Sequence, residues 1–457
     1  MAPPLNKHVA LVGFMGAGKT TIAAKLGLAA HTDDDVPIEL FAQGEPAFRA
    51  REAEVAEQVL SLSPRLVDLG GGAVTTPRVR ELLKERATVV WIDTDVDTCW
   101  QRVRGGDRPL AQDEASFRRL YEERRALYAE VADVVARDED DVALAVAGVH
   151  VEAGALQRLG DLVPGGAVEL VSDPNVAGIH GMDAQLALGT RLTRTHELPA
   201  GEEAKTLVAL DRLWQDLRLD RQGTLVALGG GCTTDAAGFA AAAYLRGIAW
   251  APVPTSLVAQ VDAAIGGKVA IDLPQGKNLV GAFHWPVRTI VDPALLETLP
   301  ERERREGLAE VVKTGLLAGE PLWEPLDVRR CAAFKAAICL RDPHDHGERK
   351  QLNLGHTFAH ALEAAAHYQQ LTHGQAVALG LKAALRLSGR DTAVVDELLG
   401  PKPVRVDRAR AWEAMRRDKK NVGGELRLVL LDDDGPRWDV PVPEADVRRA
   451  LDELIAG

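Results

Sequence analysis

The sequence has little cysteine, and what it has is not arranged for a disulfide framework or a thiolate metal site. Only four of the 457 residues are cysteine, and no two of them form a Cys-x2-Cys pair. No apolar run approaches the length that spans a membrane. The first residues also lack a cationic segment followed by a cleavage site, so we expect a cytoplasmic protein with no membrane partner.

The chain also lacks an excess of basic residues. It has 54 Lys and Arg against 67 Asp and Glu, for a formal net charge of -13. A non-specific nucleic-acid binder would need a basic face to neutralise phosphates, so this balance argues against that class. With 46% hydrophobic residues, the chain is long enough for two or three globular domains, each with its own core.

A phosphate-binding loop stands close to the start of the chain. An apolar strand is predicted over His8 to Val12, followed by Gly-Phe-Met-Gly-Ala-Gly-Lys-Thr at residues 13–20 and a helical composition through Ala30. Glycines let backbone N–H groups turn toward phosphates at a helix N-terminus, Lys19 reaches the outer phosphates, and the Thr20 hydroxyl can bind magnesium. We therefore predict an ATP site with Mg²⁺. Its binding residues are Gly16, Ala17, Gly18, Lys19, Thr20 and Thr21.

A second group of chemistry-bearing residues lies in the last third of the chain. His356 and His360 are one helical turn apart, and a predicted helix upstream carries Glu310 and Lys313. A carboxylate, a helical histidine and the later His373 make the three N/O ligands of a catalytic zinc site. Histidines that only cap or pack a helix are the alternative, and the spacing leaves open whether His356 or His360 binds the metal.

Between these groups, a glycine turn follows an apolar run. The run over Thr224 to Gly229 enters Gly230-Gly231-Cys232, and two strand-like runs precede it, at 168–172 and 191–198. A buried parallel strand that ends in a glycine turn is where an open α/β sheet binds a dinucleotide phosphate. An acidic and then small-residue stretch ending at Ala147-Gly148 predicts a tether between two independent parts.

The motifs around the phosphate-binding loop resemble those of the shikimate kinases over residues 7 to 145. They are Asp33 and Asp35, Gly44-Glu45-Pro46-Ala47-Phe48-Arg49, Glu52, Leu69-Gly70-Gly71-Gly72-Ala73-Val74, Arg108-Pro109-Leu110 and Arg124-Arg125-Ala126-Leu127-Tyr128. The resemblance implies that Asp33 lies near magnesium as a catalytic group, with Lys19, and that Arg108 covers ATP. It assigns shikimate binding to Asp35, Arg49, Gly71 and Arg124. The segment between Glu39 and Gly44 is about ten residues shorter than is usual in the family.

The rest of the chain, from residue 149, looks like a 3-dehydroquinate synthase. The motifs are Gly201-Glu202-Glu203-Ala204-Lys205, Tyr244-Leu245-Arg246-Gly247, Pro252-Val253-Pro254-Thr255-Ser256, Gln260-Val261-Asp262, Gly266-Gly267-Lys268, Gly276-Lys277-Asn278 and the histidine stretch. The family uses NAD and a zinc or cobalt ion to convert 3-deoxy-D-arabino-heptulosonate 7-phosphate into 3-dehydroquinate and phosphate. The hydride that NAD takes is returned, so no net oxidation occurs.

This second resemblance also assigns roles to individual residues. Zinc ligands would be Glu310, His356 and His373, with His360 left for proton transfer and phosphate contact, and Lys268 and Lys313 would be catalytic. NAD would contact Asp173, Asn175, Glu202, Lys205, Gly230, Gly231, Asp235, Thr255, Ser256, Lys268, Lys277, Leu295 and Thr298. The heptulosonate phosphate would contact Arg246, Asp262, Asn278, Lys335, Arg349, Asn353, Lys419 and Lys420.

Three positions depart from the family pattern without removing a metal ligand. Thr234 replaces a usual glycine, Asp345 stands where glutamate is common, and Gln375 follows His373-Gly374 where glutamate is frequent.

The expected architecture is α/β. It comprises a P-loop kinase at 1–147 with a parallel sheet and flanking helices, an NAD-binding α/β domain at 148–288, and an all-helical metal-binding domain at 289–457. A homodimer through the synthase part is also expected.

Two other functions remain open at this stage. Glycerol dehydrogenases share the two-domain plan and the glycine turn, so a metal-dependent polyol dehydrogenase is one alternative for the second part; it would produce NADH from a diol. A nucleotide-binding regulatory domain that phosphorylates nothing is the alternative for the first part. The lysines that would surround a leaving phosphate and the Gly-His-Thr signature at 355–357 argue against the dehydrogenase. Four intact residues argue against the regulatory domain: Lys19, Asp33, Asp35 and Arg108.

Overall fold

The computed structural model describes residues 7–27, 31–32, 36, 38–106, 109–367, 371–417, 421–422 and 425–456. Five of the expected site residues lie outside these ranges: Asp33, Asp35, Arg108, Lys419 and Lys420. The chain divides into two compact units, at 1–147 and 148–457.

The first unit is built on a five-stranded parallel sheet. Its strand order is β2-β3-β1-β4-β5, and β1 is hydrogen-bonded to parallel neighbours on both sides. Every residue of β1 is buried, as expected for a central strand of a sheet covered on both faces. The strands are β1 (His8–Val12), β2 (His31–Thr32), β3 (Leu66–Asp68), β4 (Ala87–Ile92) and β5 (Val134–Ala136).

Six helices accompany this sheet in the described part of the first unit. They are α1 (Lys19–Lys25), α2 (Glu45–Leu60), α3 (Pro77–Arg86), α4 (Val96–Val103), α5 (Glu114–Val131) and α6 (Glu139–Val146). The Phe14 ring, in the loop after β1, meets the rings of Phe117 and Tyr121 on α5 edge to face, with centroids 4.9 and 5.2 Å apart. Aromatic packing of this kind ties the loop to the longest helix of the unit.

The second unit begins with an α/β part. A four-stranded parallel sheet has the order β10-β9-β7-β8, and the separate strand β6 pairs in parallel with β13. The strands are β6 (Val149–Val151), β7 (Val168–Ser172), β8 (Leu192–Glu197), β9 (Thr224–Gly229), β10 (Ala249–Pro254), the hairpin β11 (Lys268–Leu273) and β12 (Gly276–Phe283), and β13 (Thr289–Val291). The α/β part therefore extends past the expected division at 288 to include β13.

The remaining described residues of the second unit are mostly helical. The helices of the unit are α7 (Leu159–Leu162), α8 (Pro174–Val176), α9 (Met182–Leu188), α10 (Leu207–Asp216), α11 (Gly231–Ala243), α12 (Glu301–Ala318), α13 (Val328–Arg341), α14 (His356–Ala365), α15 (His373–Leu387), α16 (Ala393–Leu398), α17 (Arg408–Arg417) and α18 (Glu444–Glu453). One apolar core joins α12, α14 and α15 through buried residues that include Val312, Phe358 and Leu379.

The predicted α/β class and the helical C-terminal region are confirmed. The structure adds an antiparallel three-stranded sheet that the expectation of an all-helical domain did not contain: β14 (Asn421–Val422), β15 (Glu425–Asp432) and β16 (Gly435–Val442). Alternate residues of β15, such as Leu426 and Leu428, enter the helical core. Among the described residues, no helix combines the length and the apolar character that crossing a membrane requires.

Candidate functional site

In the first unit, the loop between β1 and α1 has the geometry of a phosphate cradle. Gly16 and Gly18 adopt left-handed backbone conformations, with φ of 84° and 95°, and Gly18 is the N-cap of α1. Lys19 Nζ donates to the carbonyl of Gly13 at 3.2 Å, folding the side chain back over the loop. Thr20 Oγ1 donates to Asp68 Oδ2 at 2.6 Å, across from the neighbouring strand β3. The turn therefore places a lysine, a hydroxyl and a carboxylate where a nucleotide phosphate and its magnesium would lie.

Two arginines converge on the glycine turn that follows β3. The guanidinium of Arg124, 2% exposed, donates from Nη1 to the carbonyl of Gly71 at 3.1 Å, and its Nε has no hydrogen-bond partner among the described residues. Arg49 forms ion pairs with Glu45 at 3.1 Å and Glu52 at 2.7 Å. Burial, with the nearby charge of Arg49, lowers the pKa of Arg124. Two close guanidiniums favour an anionic ligand such as a carboxylate.

In the second unit, the carboxyl ends of β7 and β9 lie side by side at the edge where a parallel sheet binds dinucleotides. Asp173 follows β7 and accepts hydrogen bonds from the backbone of Asn175 and from Thr233 Oγ1, at 3.1 and 3.3 Å. Gly230 and Gly231 lead from β9 into α11. After β10, Thr255 donates its backbone N–H to the Gly229 carbonyl at 3.0 Å.

A network of charged side chains borders this edge. Lys205, 4% exposed, forms ion pairs with Asp235 at 2.7 Å and Asp272 at 3.9 Å, and also hydrogen-bonds to Asn278. Burial lowers the pKa of Lys205, but these carboxylates outweigh it and raise the pKa above its ordinary value. The expected dinucleotide-binding lysine is thus held charged.

Three expected metal ligands come together in the helical part. One oxygen of Glu310, Oε1, lies 3.4 Å from His356 Nε2 and 3.2 Å from His373 Nε2. The donor atoms of these three residues lie within 4.8 Å of one another, and Glu310 is fully buried. Three elements supply them: the middle of α12 and the first residues of α14 and α15. A carboxylate with two imidazoles, converging inside a protein, fits a catalytic zinc or cobalt ion.

The charge distribution around these atoms favours a cation. Burial alone would raise the pKa of Glu310, but the ammonium of Lys313 and His356 lower it well below its usual range. Burial would lower the pKa of His373, but hydrogen bonds to Glu310 and Glu363 outweigh it and raise the pKa to about 10. Two carboxylates around one imidazole therefore favour positive charge at this point, which a divalent ion would also supply.

His360 lies beside this group but outside it. Its ring centroid is 5.6 Å from that of His356, its side chain is exposed, and it is not one of the three converging residues. The alternative that spacing left open, a metal held by His360, has no support from this geometry.

A cluster of cations lies between the α/β and helical parts of the second unit. Lys313 and Lys335 both form ion pairs with Asp262, the first at 3.8 Å. Lys268 Nζ lies 2.5 Å from Asp345 Oδ2. Burial and the charges of Arg349 and Lys335 lower the pKa of Lys268, despite the contact with Asp345. A lysine destabilised by neighbouring cations indicates a positive potential that suits a phosphate.

The remaining expected site residues are distributed along the same borders. Lys277 contacts Glu202 at 2.5 Å. Asn353 Nδ2 donates to the Lys350 carbonyl at 3.2 Å. Arg246 is exposed with a left-handed backbone, φ 68°. Leu295 is buried, and Thr298 Oγ1 donates to its carbonyl at 3.0 Å; Ser256 Oγ accepts from Ala259 N at 3.4 Å.

Three carboxylates that the sequence analysis did not assign take part in these sites. Asp68 accepts from the phosphate-loop threonine. Glu363 lies 3.3 Å from His373 Nδ1, and Glu306 contacts the residues on either side of His373. Glu363 is seven residues after His356 on one helix face, a spacing that could have identified it. Nothing in the sequence alone connects Glu306 with His373.

Comparisons with known proteins agree with both sets of motifs. The family models that match are shikimate kinase over residues 15–153, the N-terminal 3-dehydroquinate synthase domain over 195–306 and its C-terminal domain over 307–421. A 3-dehydroquinate synthase from Bordetella pertussis is 40% identical over 341 residues, which are 66% of this chain and 95% of that protein. One from Salinibacter ruber is 40% identical over 316 residues, which are 62% and 86%.

A solved structure shares the fold of the second unit. It is a 2-deoxy-scyllo-inosose synthase complexed with carbaglucose-6-phosphate, NAD⁺ and Co²⁺, with 26% identity and a TM-score of 0.59 over 66% of this chain and 95% of that one. The sequence similarity to curated synthases covers nearly their whole length, and the kinase match lies ahead of it. The chain therefore belongs to the 3-dehydroquinate synthase family and is a fused enzyme of the shikimate pathway with an N-terminal shikimate kinase domain.

Proposed function

We propose that the second unit converts 3-deoxy-D-arabino-heptulosonate 7-phosphate into 3-dehydroquinate and phosphate beside Glu310, His356 and His373. The observation that carries this proposal is the convergence of those three donors within 4.8 Å, with Lys313 against Glu310. A polyol dehydrogenase would also need a metal, but it has no use for several buried cations beside it.

The three donors would hold a zinc or cobalt ion, and the edge formed by β7, β9 and β10 would hold NAD. When bound, the metal would supply Lewis acidity toward a substrate hydroxyl, and NAD would supply reversible hydride transfer. The chain's own contribution is positional. Glu363 hydrogen-bonds to the far nitrogen of His373, which fixes the ring so that Nε2 points at Glu310.

NAD would bind through the residues that the family resemblance implies. Asp173 and the glycine turn would meet the dinucleotide at the switch point between β7 and β9. Lys205 is held by Asp235 and Asn278, and Lys277 by Glu202, so these charges are fixed before the cofactor arrives. The full set comprises Asp173, Asn175, Glu202, Lys205, Gly230, Gly231, Asp235, Thr255, Ser256, Lys268, Lys277, Leu295 and Thr298.

The phosphate of the substrate would enter the cation cluster. Arg349 is 2% exposed and is held by hydrogen bonds to the carbonyls of Gly266 and Pro343, at 2.9 and 3.0 Å, so its guanidinium is rigid. A phosphate would replace Asp345 as the partner of Lys268. Its negative charge would offset the repulsion of Lys268 by Arg349 and Lys335. Fixed cations aimed at a leaving phosphate stabilise the charge that develops on it. Exposed His360, beside the metal ligands, would carry a proton to or from that phosphate. Arg246, Asp262, Asn278, Lys335 and Asn353 are the other described residues that we propose contact the substrate, and Lys419 and Lys420 remain expectations from the sequence.

The first unit would phosphorylate shikimate with ATP and Mg²⁺. Lys19 and the loop N–H groups would hold the phosphates, and Thr20 with Asp68 would face the magnesium ion. Arg49 and Arg124, beside the glycine turn at Gly71, would bind the shikimate carboxylate. Asp33, Asp35 and Arg108 keep the roles that the resemblance implies.

A homodimer through the second unit is supported by one edge of its sheet. Strand β8 has a single hydrogen-bonded neighbour among the described strands, and the segment before it exposes Ile179, Met182 and Leu186 by 55, 65 and 71%. An open strand edge beside exposed apolar side chains is what a second copy would cover.

All four cysteines are free, and the substrates are nucleotides and sugar phosphates, which supports a cytoplasmic location.

The test of the synthase proposal is metal analysis of four purified variants beside an assay of dehydroquinate formation and phosphate release. Replacing Glu310, His356 or His373 by alanine should remove stoichiometric zinc, because two ligands hold the ion poorly. His360→Ala should retain zinc and lose about a hundredfold in turnover. A metal-free His360→Ala beside a zinc-bound His356→Ala would mean that the ligand assignment is wrong.

The parent enzyme separates the two chemistries. With the heptulosonate phosphate it should release phosphate without net NADH, and a chelator should stop the release. Net NADH from a diol, without phosphate release, would identify a polyol dehydrogenase instead.

A further inference from the structure

Two of the glutamates on helix α12, Glu306 and Glu310, lie one turn apart, and both contact the start of α15. Glu310 faces the ring of His373. Glu306 contacts the residues on either side of it: Oε1 accepts from the Thr372 side-chain hydroxyl and Oε2 accepts from the Gly374 backbone N–H, each at 2.6 Å. Thr372 and Gly374 are the chain neighbours of His373, so one carboxylate holds the histidine from both sides.

The two helices approach closely enough that only glycine fits at this point. A Cβ on Gly374 would lie 2.6 Å from Glu306 Cα and 2.7 Å from its carbonyl oxygen. Gly374 is buried, so this is a packed contact in the interior. Because the backbones touch, the Glu306 carboxylate reaches α15 without spanning solvent. Any shift of α12 along α15 would break both hydrogen bonds together.

Glu306 also supplies a negative charge at the N-terminus of α15, where the helix has none of its own. The first turn of α15 has no acidic side chain, and its third position is Gln375, whose amide oxygen accepts from Thr372 N at 3.3 Å. A carboxylate at a helix N-terminus is stabilised by the helix dipole and by charge-assisted bonds to free N–H groups. In this chain that carboxylate comes from a different helix, 66 positions away along the sequence from Thr372.

We propose that Glu306 is a positioning residue for the metal centre, which holds His373 at the distance from Glu310 that the ion requires. The Glu306 carboxylate is hydrogen-bonded to Thr372 and Gly374, and it is not one of the three converging donors. It acts through the Thr372 hydroxyl and the Gly374 backbone N–H, while Glu363 orients the imidazole ring. The proposal rests on the ligand set proposed above. Outer-shell carboxylates of this kind change metal affinity by about ten- to a hundredfold.

The experiment compares zinc release from Glu306→Ala, Glu306→Gln and the double variant Glu306→Ala with Gln375→Glu. Release to a chromophoric chelator is followed over time, with the visible spectrum of the cobalt-substituted protein and thermal unfolding of the metal-free protein. Glu303→Ala, an exposed position on the same helix, is the matched control. The ligand variant His373→Ala is measured in parallel.

Glu306→Ala should release zinc about tenfold faster or more and alter the cobalt spectrum, and Glu306→Gln should fall between it and the parent. Gln375→Glu should slow the release again, because it returns a carboxylate to the same helix end. Glu303→Ala should match the parent. If Glu306→Ala does not fold, the glutamine and double variants carry the comparison.

Two outcomes would overturn the proposal. One is release at the parental rate from the Glu306 variants, even with a lowered unfolding temperature, since that would indicate a purely structural role. The other is a double variant no better than Glu306→Ala. Failure of the ligand set itself looks different: His373→Ala would then keep its zinc at the parental affinity.

Discussion

The kinase and synthase sites place their charges in opposite ways. In the first unit, the phosphate site is mostly backbone at the start of one helix, with two side-chain cations beside it: Lys19, and Arg102, which donates to the carbonyls of Gly16 and Ala17. In the second unit, cations and acids are buried together, with Lys313 and Lys335 on Asp262 and Glu310 against both histidines. A short contiguous motif can build the first kind of site. The second kind needs strands and helices that are distant in sequence, so its parts depend on one another.

Lys19→Ala should have the largest effect, because it should remove the kinase activity and leave the synthase activity. It removes the lysine that would reach the outer phosphates of ATP, so shikimate phosphorylation should fall by a hundredfold or more. Dehydroquinate formation should stay within a few-fold of the parent, because the chain forms two compact units. Both activities are measured on one preparation, with Lys25→Ala as the control, an exposed lysine on the same helix paired with Glu139 at 2.7 Å. Loss of both activities in a folded variant would mean that the units are coupled.

Arg49→Ala tests the acceptor side of the kinase site and should have a smaller effect. The guanidinium lies beside the glycine turn and pairs with buried Glu52. Losing its charge-assisted bonds should raise the KM for shikimate by about tenfold or more and leave the KM for ATP nearly unchanged. Arg51→Ala, an exposed neighbour paired with Glu54 at 2.9 Å, should change neither. Equal increases in both constants would indicate a structural role or another acceptor.

The smallest effect concerns a single proton in the synthase site. The pKa of His373 is raised to about 10 by Glu310 and Glu363 despite burial, so the metal-free protein holds a proton there at pH 8. Zinc needs the neutral ring, so binding at pH 8 should release about one proton. Calorimetry in buffers of different ionisation enthalpy measures it, and the apparent affinity should rise with pH up to about 10. Release that stays near zero at pH 8 would contradict the raised pKa.

The raised pKa of His373 should also make the stability of the metal-free protein depend on pH. The folded-state pKa of this histidine lies above the unfolded value, so its stabilising contribution is complete below about pH 6.5 and is lost as pH rises toward about 10. Unfolding temperatures of the metal-free protein over this interval measure the trend, with the metal-loaded protein as the control.

Local patterns predicted much of this molecule. The strands His8–Val12 and Val168–Ser172 have the bounds that their apolar runs indicated, and the helix predicted around Glu310 lies inside α12. The helical spacing could not separate His356 from His360, because both lie on one face of α14. Which of them meets Glu310 depends on how α12 packs against α14.

Contacts between distant segments account for what the sequence did not predict. The sheet of β14 to β16 follows helical segments, and no sequence motif predicted it. Asp68 becomes part of the phosphate site only because β3 is the neighbour of β1. Glu306 reaches Thr372 only because two helices touch at a glycine. Each depends on a distance in space that the order of residues does not contain.

The pairing of β6 with β13 bears on how the chain emerges from the ribosome. Val149 follows the first unit directly, yet its strand partner, Thr289, is synthesised 140 residues later (289 - 149). At roughly 5–20 residues per second, that interval lasts about 7 to 28 seconds. The last described strand of the kinase unit ends at residue 136, so this unit can fold during the delay. The nascent synthase meanwhile has an unpaired first strand, a period of exposure that ends only when residue 291 leaves the exit tunnel.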